Sequence, residues 1–367
     1  MSMVSDEQLA GELSGDVSSY ERWLQSENIP VYRGYSVEDL SRVNLGPWAR
    51  KGGKGCFINL IGGEQSTDSY VCEIAPGGSL KPQKHLFEEF VLILQGRGAT
   101  TIWNEGGPKQ TFEWQEGSLF AIPLNASYQH FNGQGDKPVR YLGSTNAPLT
   151  INLYHNIDFI FNNSYVFKDR FSGEEGYFST RGKLYSVANQ TVRSWESNLI
   201  PDVRDFKLFE LKVRGGGGSS VIFEMANGTM AAHISEFPVG GYKKAHRHGP
   251  GANIIIAGGQ GYSLMWPEGG QRVHVPWQEG SFFVPPGRWF HQHFNTGSEP
   301  ARYVALKFSG SRKYSMGRTS MSTESLYNAG DQIEYEVEDP EIGALFEKEM
   351  AAKGFQVKMP YAVKKQS

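Results

Sequence analysis

Short apolar runs that end in glycine-rich turns recur along most of the chain. Residues 91–94 (VLIL) and residues 254–256 (III) are two such runs, and a Gly-x-Gly sequence follows each of them closely. Runs of this length that stop at turns are typical of buried β-strands. Turn sequences such as Pro-Gly-Gly, Glu-Gly-Gly and Gly-Ser recur about every 8–12 residues, which is the spacing of a β-sandwich or β-barrel.

Helical patterns lie outside these strands. Residues 6–28 carry one pattern, and residues 324–353 carry another. In the second, Asp339 can cap a helix of about residues 340–353, with Pro340 in its first turn. We therefore predict an all-β fold with flanking helices at both termini.

An internal repeat fixes the organisation of the strands. Residues 114–132 (WQEGSLFAIPLNASYQHFN) and residues 277–295 (WQEGSFFVPPGRWFHQHFN) match at 11 of 19 positions, and the offset from Trp114 to Trp277 also aligns further positions on the N-terminal side. Self-similarity at one offset indicates two copies of a single structural unit. The predicted organisation is a helical or extended segment (1–55), an N-terminal module (56–146), an inter-module segment (147–218), a C-terminal module (219–309) and a C-terminal extension (310–367). We expect the glycine-rich end of the inter-module segment, residues 214–219, to be a mobile loop.

Composition narrows the class of protein. The 367 residues include 44 glycines, 22 phenylalanines, 17 tyrosines and 8 tryptophans, which suits many short strands joined by turns. The net charge of −3 argues against a generic nucleic-acid binder and against a polybasic membrane-binding surface. Two cysteines exclude a disulfide framework, and the N-terminus lacks the apolar stretch of a signal peptide. We therefore expect a cytoplasmic protein without nucleic-acid or membrane partners.

Four histidines in the C-terminal module form the candidate chemical centre. His246 and His248 are two residues apart, so on a strand both side chains project to one face, and His291 and His293 repeat that spacing. Neutral imidazoles suit Fe, Zn, Cu or Ni, and three protein ligands leave open coordination positions for a substrate and for water or oxygen. The spacing predicts a metal held by the first pair and one histidine of the second pair. The remaining histidine would then be an acid–base group or a hydrogen-bond donor.

The histidines fall in sequences that resemble the two cupin motifs. The matching positions are Gly240, His246, His248, Gly259, Gly280, Pro286, His291 and Asn295, with Arg288 where the second motif usually has glycine. The resemblance covers both modules and implies a bicupin, which is a pair of tandem, jelly-roll-like antiparallel β-barrels with the metal inside. Ala252 replaces the usual glutamate of the first motif, so the fourth, carboxylate ligand is missing.

This variant of the motifs is similar to the gentisate 1,2-dioxygenase class, in which His-Arg-His is followed by alanine and the second motif reads Trp-x-x-His-x-His. That class uses non-haem Fe(II), held by three histidines, to cleave hydroxylated aromatic rings with O2. The resemblance implies that His246, His248 and His291 bind iron. It places His293 beside them. Two features differ from the class: Ile254 stands where it has a substrate-binding arginine, and the complete histidine set lies in the second module.

Further residues near the motifs are candidates for substrate contact. We predict that His293 and Asn253 assist proton movement and that a flat apolar pocket adjoins the metal. The predicted lining residues are Tyr262, Trp266, Trp289 and Arg288. The alternative for the aromatic residues is ordinary packing in the barrel core.

The N-terminal module has lost most of this constellation. At the same offset, Gln83 replaces His246 and Tyr128 replaces His291, and neither residue type is a good ligand for these metals. The residues that remain are His85, Glu89 and His130. We interpret this module as structural or dimer-forming, and a residual metal site at these three residues is the alternative.

Three functions are consistent with these features. The main hypothesis is a non-haem Fe(II)-dependent dioxygenase that acts on a hydroxylated aromatic or related small molecule and on O2. The first alternative is another metal-dependent bicupin enzyme, a decarboxylase, isomerase or hydrolase that uses Mn, Ni or Zn, and Cu is a further metal candidate. The second alternative is a non-enzymatic binding bicupin. Strand edges on both barrels need covering, and we expect a homo-oligomer.

Overall fold

The computed structural model describes residues 17–63, 66–187, 192–308, 311 and 331–359. In these ranges the α-helices are α1 (Ser19–Ser26), α2 (Ala147–Tyr154), α3 (Ile157–Asn162) and α4 (Pro340–Ala352). Strands β1 (Val31–Tyr32), β2 (Ser36–Val37) and β3 (Gly46–Trp48) come before the N-terminal module. That module contains β4 (Gly53–Ile58), β5 (Asp68–Ile74), β6 (Glu89–Gln95), β7 (Arg97–Trp103), β8 (Gln110–Gln115), β9 (Leu119–Ile122), β10 (Ser127–Asn132) and β11 (Val139–Thr145).

The second half of the chain follows the same plan. The inter-module segment contains β12 (Lys183–Val187), β13 (Val192–Glu196), β14 (Leu199–Ile200) and β15 (Phe209–Glu210). The C-terminal module contains β16 (Ser219–Glu224), β17 (Ala231–Phe237), β18 (Ala252–Gly258), β19 (Gln260–Trp266), β20 (Val273–Gln278), β21 (Phe282–Phe283), β22 (Phe290–Asn295) and β23 (Ala301–Lys307). Strands β5 to β8 and β10 recur as β17 to β20 and β22 at the offset of the sequence repeat, so the sequence repeat is a repeat of strands.

Each module pairs one large sheet with one three-stranded sheet. The large sheets have the orders β1-β4-β5-β11-β6-β9-β14 and β12-β13-β16-β17-β23-β18-β21-β2, and the small ones have the orders β10-β7-β8 and β20-β19-β22. Neighbouring strands within a module are antiparallel. This arrangement confirms the predicted fold class, an all-β chain of two tandem antiparallel barrels with flanking helices.

Alternation of side chains along the strands separates the cores. On β18, Ile254 and Ile256 point into the C-terminal barrel, whereas Ile255 points to the opposite face of the sheet. That opposite face packs on the large sheet of the N-terminal module, in a shared core with residues such as Leu92 and Leu142. The two barrels are therefore joined through the outer faces of their large sheets.

Two short strands from outside the modules each pair with a strand of the barrel that lies farther from them along the chain. Strand β2, which precedes the N-terminal module, pairs with β21 of the C-terminal barrel. Strand β14 of the inter-module segment turns back and pairs with β9 of the N-terminal barrel. Each large sheet thus includes a strand from a segment outside its own module.

The flanking segments differ in part from their sequence-based predictions. Helix α1 lies within the predicted residues 6–28, of which residues 6–16 fall outside the described ranges. In the second predicted segment, residues 324–330 also fall outside them, and residues 331–339 are not helical. Helix α4 begins after the N-cap Asp339, whose side chain accepts a hydrogen bond from the Glu341 amide.

The glycine-rich end of the inter-module segment packs against the C-terminal barrel, which corrects the expectation of a mobile loop. Arg214 is buried, and Gly215 and Gly216 have φ angles of 67° and 63°. A Cβ atom at Gly215 would collide with the Tyr335 ring, and one at Gly216 would press on the Tyr242 carbonyl. Glycine is required here because the backbone approaches its neighbours closely.

Candidate metal centre

His246 and His291 are held by an antiparallel backbone bridge at one end of the C-terminal barrel. The His246 amide donates to the His291 carbonyl at 3.1 Å, and the His291 amide donates to the His246 carbonyl at 2.8 Å. His248 follows two residues after His246, so alternation returns its side chain to the same side. The bridge and the alternation together direct three imidazoles toward one point.

The three rings converge closely. One ring nitrogen from each of His246, His248 and His291 lies within 4.8 Å of the others. The ring centroids are 4.3 Å apart between His246 and His291, and 4.7 Å apart between His248 and His291. The structure therefore brings together the three histidines that the sequence singled out as metal ligands.

Backbone carbonyls orient the three imidazoles. The Nδ1 atom of His248 lies 2.7 Å from the Gly249 carbonyl oxygen, and the Nδ1 atoms of His246 and His291 lie 3.3 Å from the carbonyls of Lys244 and Trp289. Because a carbonyl only accepts hydrogen bonds, Nδ1 carries the proton and Nε2 keeps its lone pair for a ligand. Metal-binding histidines are commonly fixed in this way.

The three histidines are also kept neutral. Burial, more than any nearby charge, lowers the pKa of His248 to about 4 and holds the pKa values of His246 and His291 well below their ordinary range. Neutral imidazoles have the free lone pair that metal coordination requires. The donor set thus fits a divalent first-row metal such as Mn, Fe, Ni or Zn, with positions left open because Ala252 offers no fourth ligand.

His293 lies beside the three histidines in the barrel interior. Its ring centroid is 5.7 Å from that of His291, and its Nδ1 atom is 2.8 Å from Ser263 Oγ. Ser263 Oγ also accepts from Trp277 Nε1 at 3.0 Å, so donation to His293 completes the hydrogen bonding of the buried hydroxyl. In that tautomer Nε2 of His293 carries a proton. His293 is then suited to hydrogen-bond donation and not to metal ligation.

The same unit recurs in the N-terminal barrel. There, His130 Nδ1 lies 2.7 Å from Thr100 Oγ1, which accepts from Trp114 Nε1 at 2.8 Å. The unit is present in both barrels although only one has the three histidines. It therefore supports the barrel wall in both modules, whatever else His293 does.

The structure corrects the predicted position of Asn253. Its side-chain amide donates to Ser144 Oγ of the N-terminal module at 2.9 Å. Asn253 follows Ala252 on β18, so it points away from the barrel interior and into the contact between the modules. It is not brought to the metal centre.

Tyr262 and Trp266 are also placed elsewhere. Both lie on the face of β19 opposite to Met265, in a cluster covered by α4. The Tyr262 ring stacks on Phe294 at a centroid distance of 4.5 Å. The alternative given by the sequence, ordinary packing, describes these two residues, and neither lines a pocket at the metal centre.

Trp289 and Arg288 stay next to the histidines. The Arg288 amide donates to the His248 carbonyl at 2.8 Å, and its guanidinium lies 3.4 Å from Asp331. Arg288 has a φ angle of 66°, which favours glycine, the residue that the cupin motif usually has there. Trp289 is half-buried and packs at the edge of the interior cluster, so it is the aromatic candidate that remains beside the site.

The corresponding position in the N-terminal barrel is closed by hydrogen bonds. The Tyr128 hydroxyl donates to Glu89 at 2.8 Å, and His85 Nε2 lies 2.8 Å from the same carboxylate oxygen. Tyr70 donates to the other oxygen of Glu89, and Lys51 donates to the Tyr70 hydroxyl at 2.8 Å. Glu89 and His85 are thus turned toward protein partners. Across the described part of the chain, the three histidines of the C-terminal barrel are the one group with metal-site geometry.

Sequence reasoning missed the cations inside the C-terminal barrel. Arg214 and Lys243 are buried, and Lys307 projects into the barrel from the end of β23. A signal for them was present in the repeat, because the N-terminal module has Leu80 and Thr145 at the positions of the two lysines. Arg214 precedes the predicted start of the C-terminal module at residue 219, so it was not compared with a residue of the N-terminal module.

Comparisons with known proteins place the chain by its fold. No family model matches it, and no curated protein matches it significantly. An oxalate decarboxylase of Lactobacillus farciminis, solved as a formate complex, is 15% identical over 75% of this chain and 86% of that one, with a TM-score of 0.50. Two mutants of Bacillus subtilis oxalate decarboxylase are 16% and 15% identical over 75% of this chain and 77% of theirs, with TM-scores of 0.50 and 0.51.

This likeness defines the class of structure as a bicupin fold. Within that class, the chain combines a C-terminal barrel that carries three converging histidines with an N-terminal barrel in which the same place is filled by tyrosine and glutamate. Among the described residues, no helix is both long and apolar enough to cross a membrane.

Proposed function

We propose that this chain is a metal-dependent bicupin enzyme with one metal centre, at His246, His248 and His291. The observation that carries the proposal is the convergence of three imidazole nitrogens within 4.8 Å of one another. A divalent metal at that point supplies Lewis acidity to a substrate oxygen at its open positions. The substrate is a small molecule, because His246 and His291 are buried in the interior of the barrel.

The chain's own groups set the conditions for the reaction. The three ligands add no negative charge, and Trp289 forms an apolar edge beside them. The Nε2–H group of His293 can donate a hydrogen bond to a substrate atom that develops negative charge. Burial, together with the Lys243 and His248 charges, lowers the pKa of His293 to about 3, so the imidazole stays neutral and acts through its N–H.

The reaction class that fits best is decarboxylation, isomerisation or hydrolysis with Mn, Ni or Zn. The matched bicupins are oxalate decarboxylases, and the Mn(II) centres of the Bacillus subtilis enzyme are the subject of another of these structures. Such reactions build up negative charge on substrate oxygens, which a metal and an interior rich in cations stabilise.

A second candidate, an Fe(II) dioxygenase for hydroxylated aromatic compounds, is favoured by one feature. Ala252 stands where the cupin motif has glutamate, so three neutral ligands leave room for both a bidentate substrate and O2. Trp289, whose carbonyl meets His291 Nδ1 and whose ring packs on the interior cluster, would provide the aromatic surface.

Metal analysis followed by two parallel assays tests the proposal. Protein purified without added metal is expected to contain about one equivalent of a first-row metal per chain, and His246→Gln protein none. Small organic acids and hydroxylated aromatics are then assayed for CO2 release and for O2 uptake. Mn, Ni or Zn with O2-independent turnover supports the first class, and Fe with O2 uptake supports the second. Equal metal content in wild-type and His246→Gln protein would overturn both.

A further inference from the structure

Lys51 and Arg214 occupy the same position in the two barrels. They are related by the offset of the sequence repeat, and each carbonyl accepts a hydrogen bond from an equivalent amide, that of Lys81 at 2.8 Å and that of Lys244 at 2.9 Å. Both side chains are buried. The repeat therefore supplies an internal comparison of how each barrel accommodates a buried cation.

In the N-terminal barrel the cation has carboxylate neighbours. Burial alone would raise the pKa of Glu89, but Lys51 and His85 outweigh it and hold that pKa below its ordinary range. A second carboxyl group, that of Asp68, lies on the same face of β5 as Tyr70 and accepts a hydrogen bond from Thr145. Glu89 thus compensates the Lys51 charge, whereas burial raises the pKa of Asp68 to about 6.

The C-terminal barrel has lost these carboxylates. Ala252 stands at the position of Glu89, and Ala231 stands at the position of Asp68. One cation and two carboxyl groups in the N-terminal barrel correspond to three cations and no carboxyl group at these positions. The substitutions that add cations are Leu80 to Lys243 and, across the one-residue slip of the repeat, Thr145 to Lys307.

The direct hydrogen-bond partners of Lys243 and Arg214 carry no charge. Lys243 donates to Ser235 Oγ and to the Tyr303 hydroxyl, and Arg214 donates to Gln332 Oε1 at 2.8 Å, all of which are neutral groups. Within the described ranges, none of the three cations forms an ion pair within 4.0 Å with a carboxylate. Lys51 forms none either, but it reaches the Glu89 carboxylate through the Tyr70 hydroxyl. Burial and the Arg214 and Lys243 charges lower the pKa of Lys307 to about 7, and no carboxylate opposes that shift.

Asp331 and Glu334 partly compensate the Arg214 charge, but each is also paired with another cation. Asp331 contacts Arg247 at 3.1 Å, and Glu334 contacts Lys244. A metal ion at the three histidines would add two further positive charges to the same interior. Buried charge without compensation costs several kcal/mol per ion in order of magnitude, so such an interior favours a ligand that brings negative charge.

We propose that Lys243, Lys307 and Arg214 form an anion subsite beside the metal centre, and that the substrate carries a carboxylate group that this subsite holds. The inference rests on the proposed function, because it assigns the substrate class of the same site. Lys243 and Lys307 approach from separate strands or loops of the barrel wall. A carboxylate that contacts either ammonium would receive a charge-assisted hydrogen bond. The Ser235 and Tyr303 hydroxyls are further donors near Lys243.

The N-terminal barrel supplies the matched variants for the test. Lys243→Leu and Lys307→Thr introduce the residues found at the equivalent positions, and Lys54→Thr, at a side chain that is 63% exposed, is the control. Purified metal-containing protein is titrated calorimetrically with benzoate, oxalate and inorganic phosphate, and with the neutral amides benzamide and oxamide. Metal content is measured on every sample.

A carboxylate is expected to bind wild-type and Lys54→Thr protein, and about tenfold or more weakly to each interior variant, with metal content unchanged. Equal carboxylate binding by wild-type and both interior variants overturns the inference, as does binding of phosphate alone or of no anion. If the purified protein holds no metal but binds a carboxylate, the anion subsite is supported and the proposed metal-dependent function is wrong. If it holds metal but binds no anion, the proposed function is supported and the anion subsite is wrong.

Thermal stability gives an independent measurement. Removing an uncompensated charge is expected to raise the melting temperature of Lys243→Leu protein above that of wild type. If an interior variant does not fold, wild-type protein decides the question: oxalate is expected to raise its melting temperature above that in chloride at equal ionic strength. Equal melting temperatures in the two salts would overturn the inference.

Discussion

His246 and His291 face each other across the same backbone bridge that joins Gln83 to Tyr128 in the N-terminal barrel. In that barrel the Gln83 amide donates to the Tyr128 carbonyl at 2.8 Å, and the reverse bond measures 2.9 Å. The bridge therefore forms with or without histidines. Metal binding in the C-terminal barrel is an addition to a backbone arrangement that is stable by itself.

The first prediction concerns this separation of metal binding from folding. His246→Gln and His291→Tyr, which copy the N-terminal barrel, are each expected to weaken metal binding about 100-fold or more, because even the loss of an outer-shell partner costs 10–100-fold. The far-ultraviolet circular dichroism spectrum is expected to stay that of wild type. Metal content after dialysis and the spectrum are the measurements. His274→Gln, at a half-exposed ring, is the control and should retain its metal.

The second prediction concerns the buried pair in the N-terminal barrel. Glu89→Gln removes the carboxylate that the buried Lys51 ammonium reaches through the Tyr70 hydroxyl, and we expect a loss of about 3–5 kcal/mol in the free energy of unfolding. The folded-state pKa of Glu89 lies below the unfolded value, so its contribution is complete above the unfolded pKa and is lost as the pH falls through the folded one. The difference between variant and wild type should therefore be larger at pH 7 than at pH 3. Urea unfolding at both values measures it.

The control for this pair is the double variant Lys51→Met with Glu89→Leu, which removes both charges together. Replacement of a buried ion pair by apolar groups is often neutral, so the double variant should be more stable than Glu89→Gln alone. A double variant less stable than Glu89→Gln would show that the charges are not paired in solution.

The third prediction follows from the position of Asn253. Asn253→Ala removes the hydrogen bond to Ser144 across the contact between the modules and should lower the free energy of unfolding by about 1–3 kcal/mol. Metal content and turnover should be unchanged, because the side chain points away from the histidines. A double-mutant cycle with Ser144→Ala should give a coupling energy of about 0.5–1.5 kcal/mol. Loss of turnover without loss of stability would contradict this prediction and show that Asn253 acts at the metal centre.

The fourth prediction concerns the cover over the small C-terminal sheet. Phe346 of α4 is fully buried and lies 5.2 Å from Tyr242 and 5.8 Å from Phe294, measured between ring centroids. Phe346→Ala should cost about 3–5 kcal/mol, because it leaves a cavity beneath the helix. Limited proteolysis should then cut the C-terminal extension sooner than in wild type. Substitution of the exposed Lys353 is not an adequate control because it donates to Thr296, so Lys348→Gln, at an exposed position of the same helix, serves instead.

The sequence predicted the barrels and the three histidines well because both depend on local periodicity. Two histidines separated by one residue share a face of any strand, and the constant offset of the repeat gives two copies of the same strands. The convergence of His291 on the other two followed from the motif resemblance. The prediction of these features does not depend on how the sheets pack against one another.

The remaining site residues depend on long-range packing. Asn253 and Tyr262 lie close to the motifs in sequence, but each faces the opposite side of its strand, where another module or α4 covers it. Proximity in sequence carries no information about the face. Lys243 and Lys307 are not among the motif residues, and their inward position depends on the fold. Arg214 belongs to a glycine-rich segment that was expected to be mobile.

The exchange of β2 and β14 between the halves makes the duplicated barrel inseparable from its neighbour. A fragment of residues 219–309 would lack β2, and with it the partner of β21 at the edge of its large sheet. The N-terminal barrel would likewise lose β14 from β9. Although the repeat suggests two interchangeable parts, the chain is expected to melt in a single cooperative transition. The barrel that lacks the three converging histidines is thus a permanent scaffold for the barrel that carries them. Its own interior residues can therefore be replaced without loss of the metal ligands.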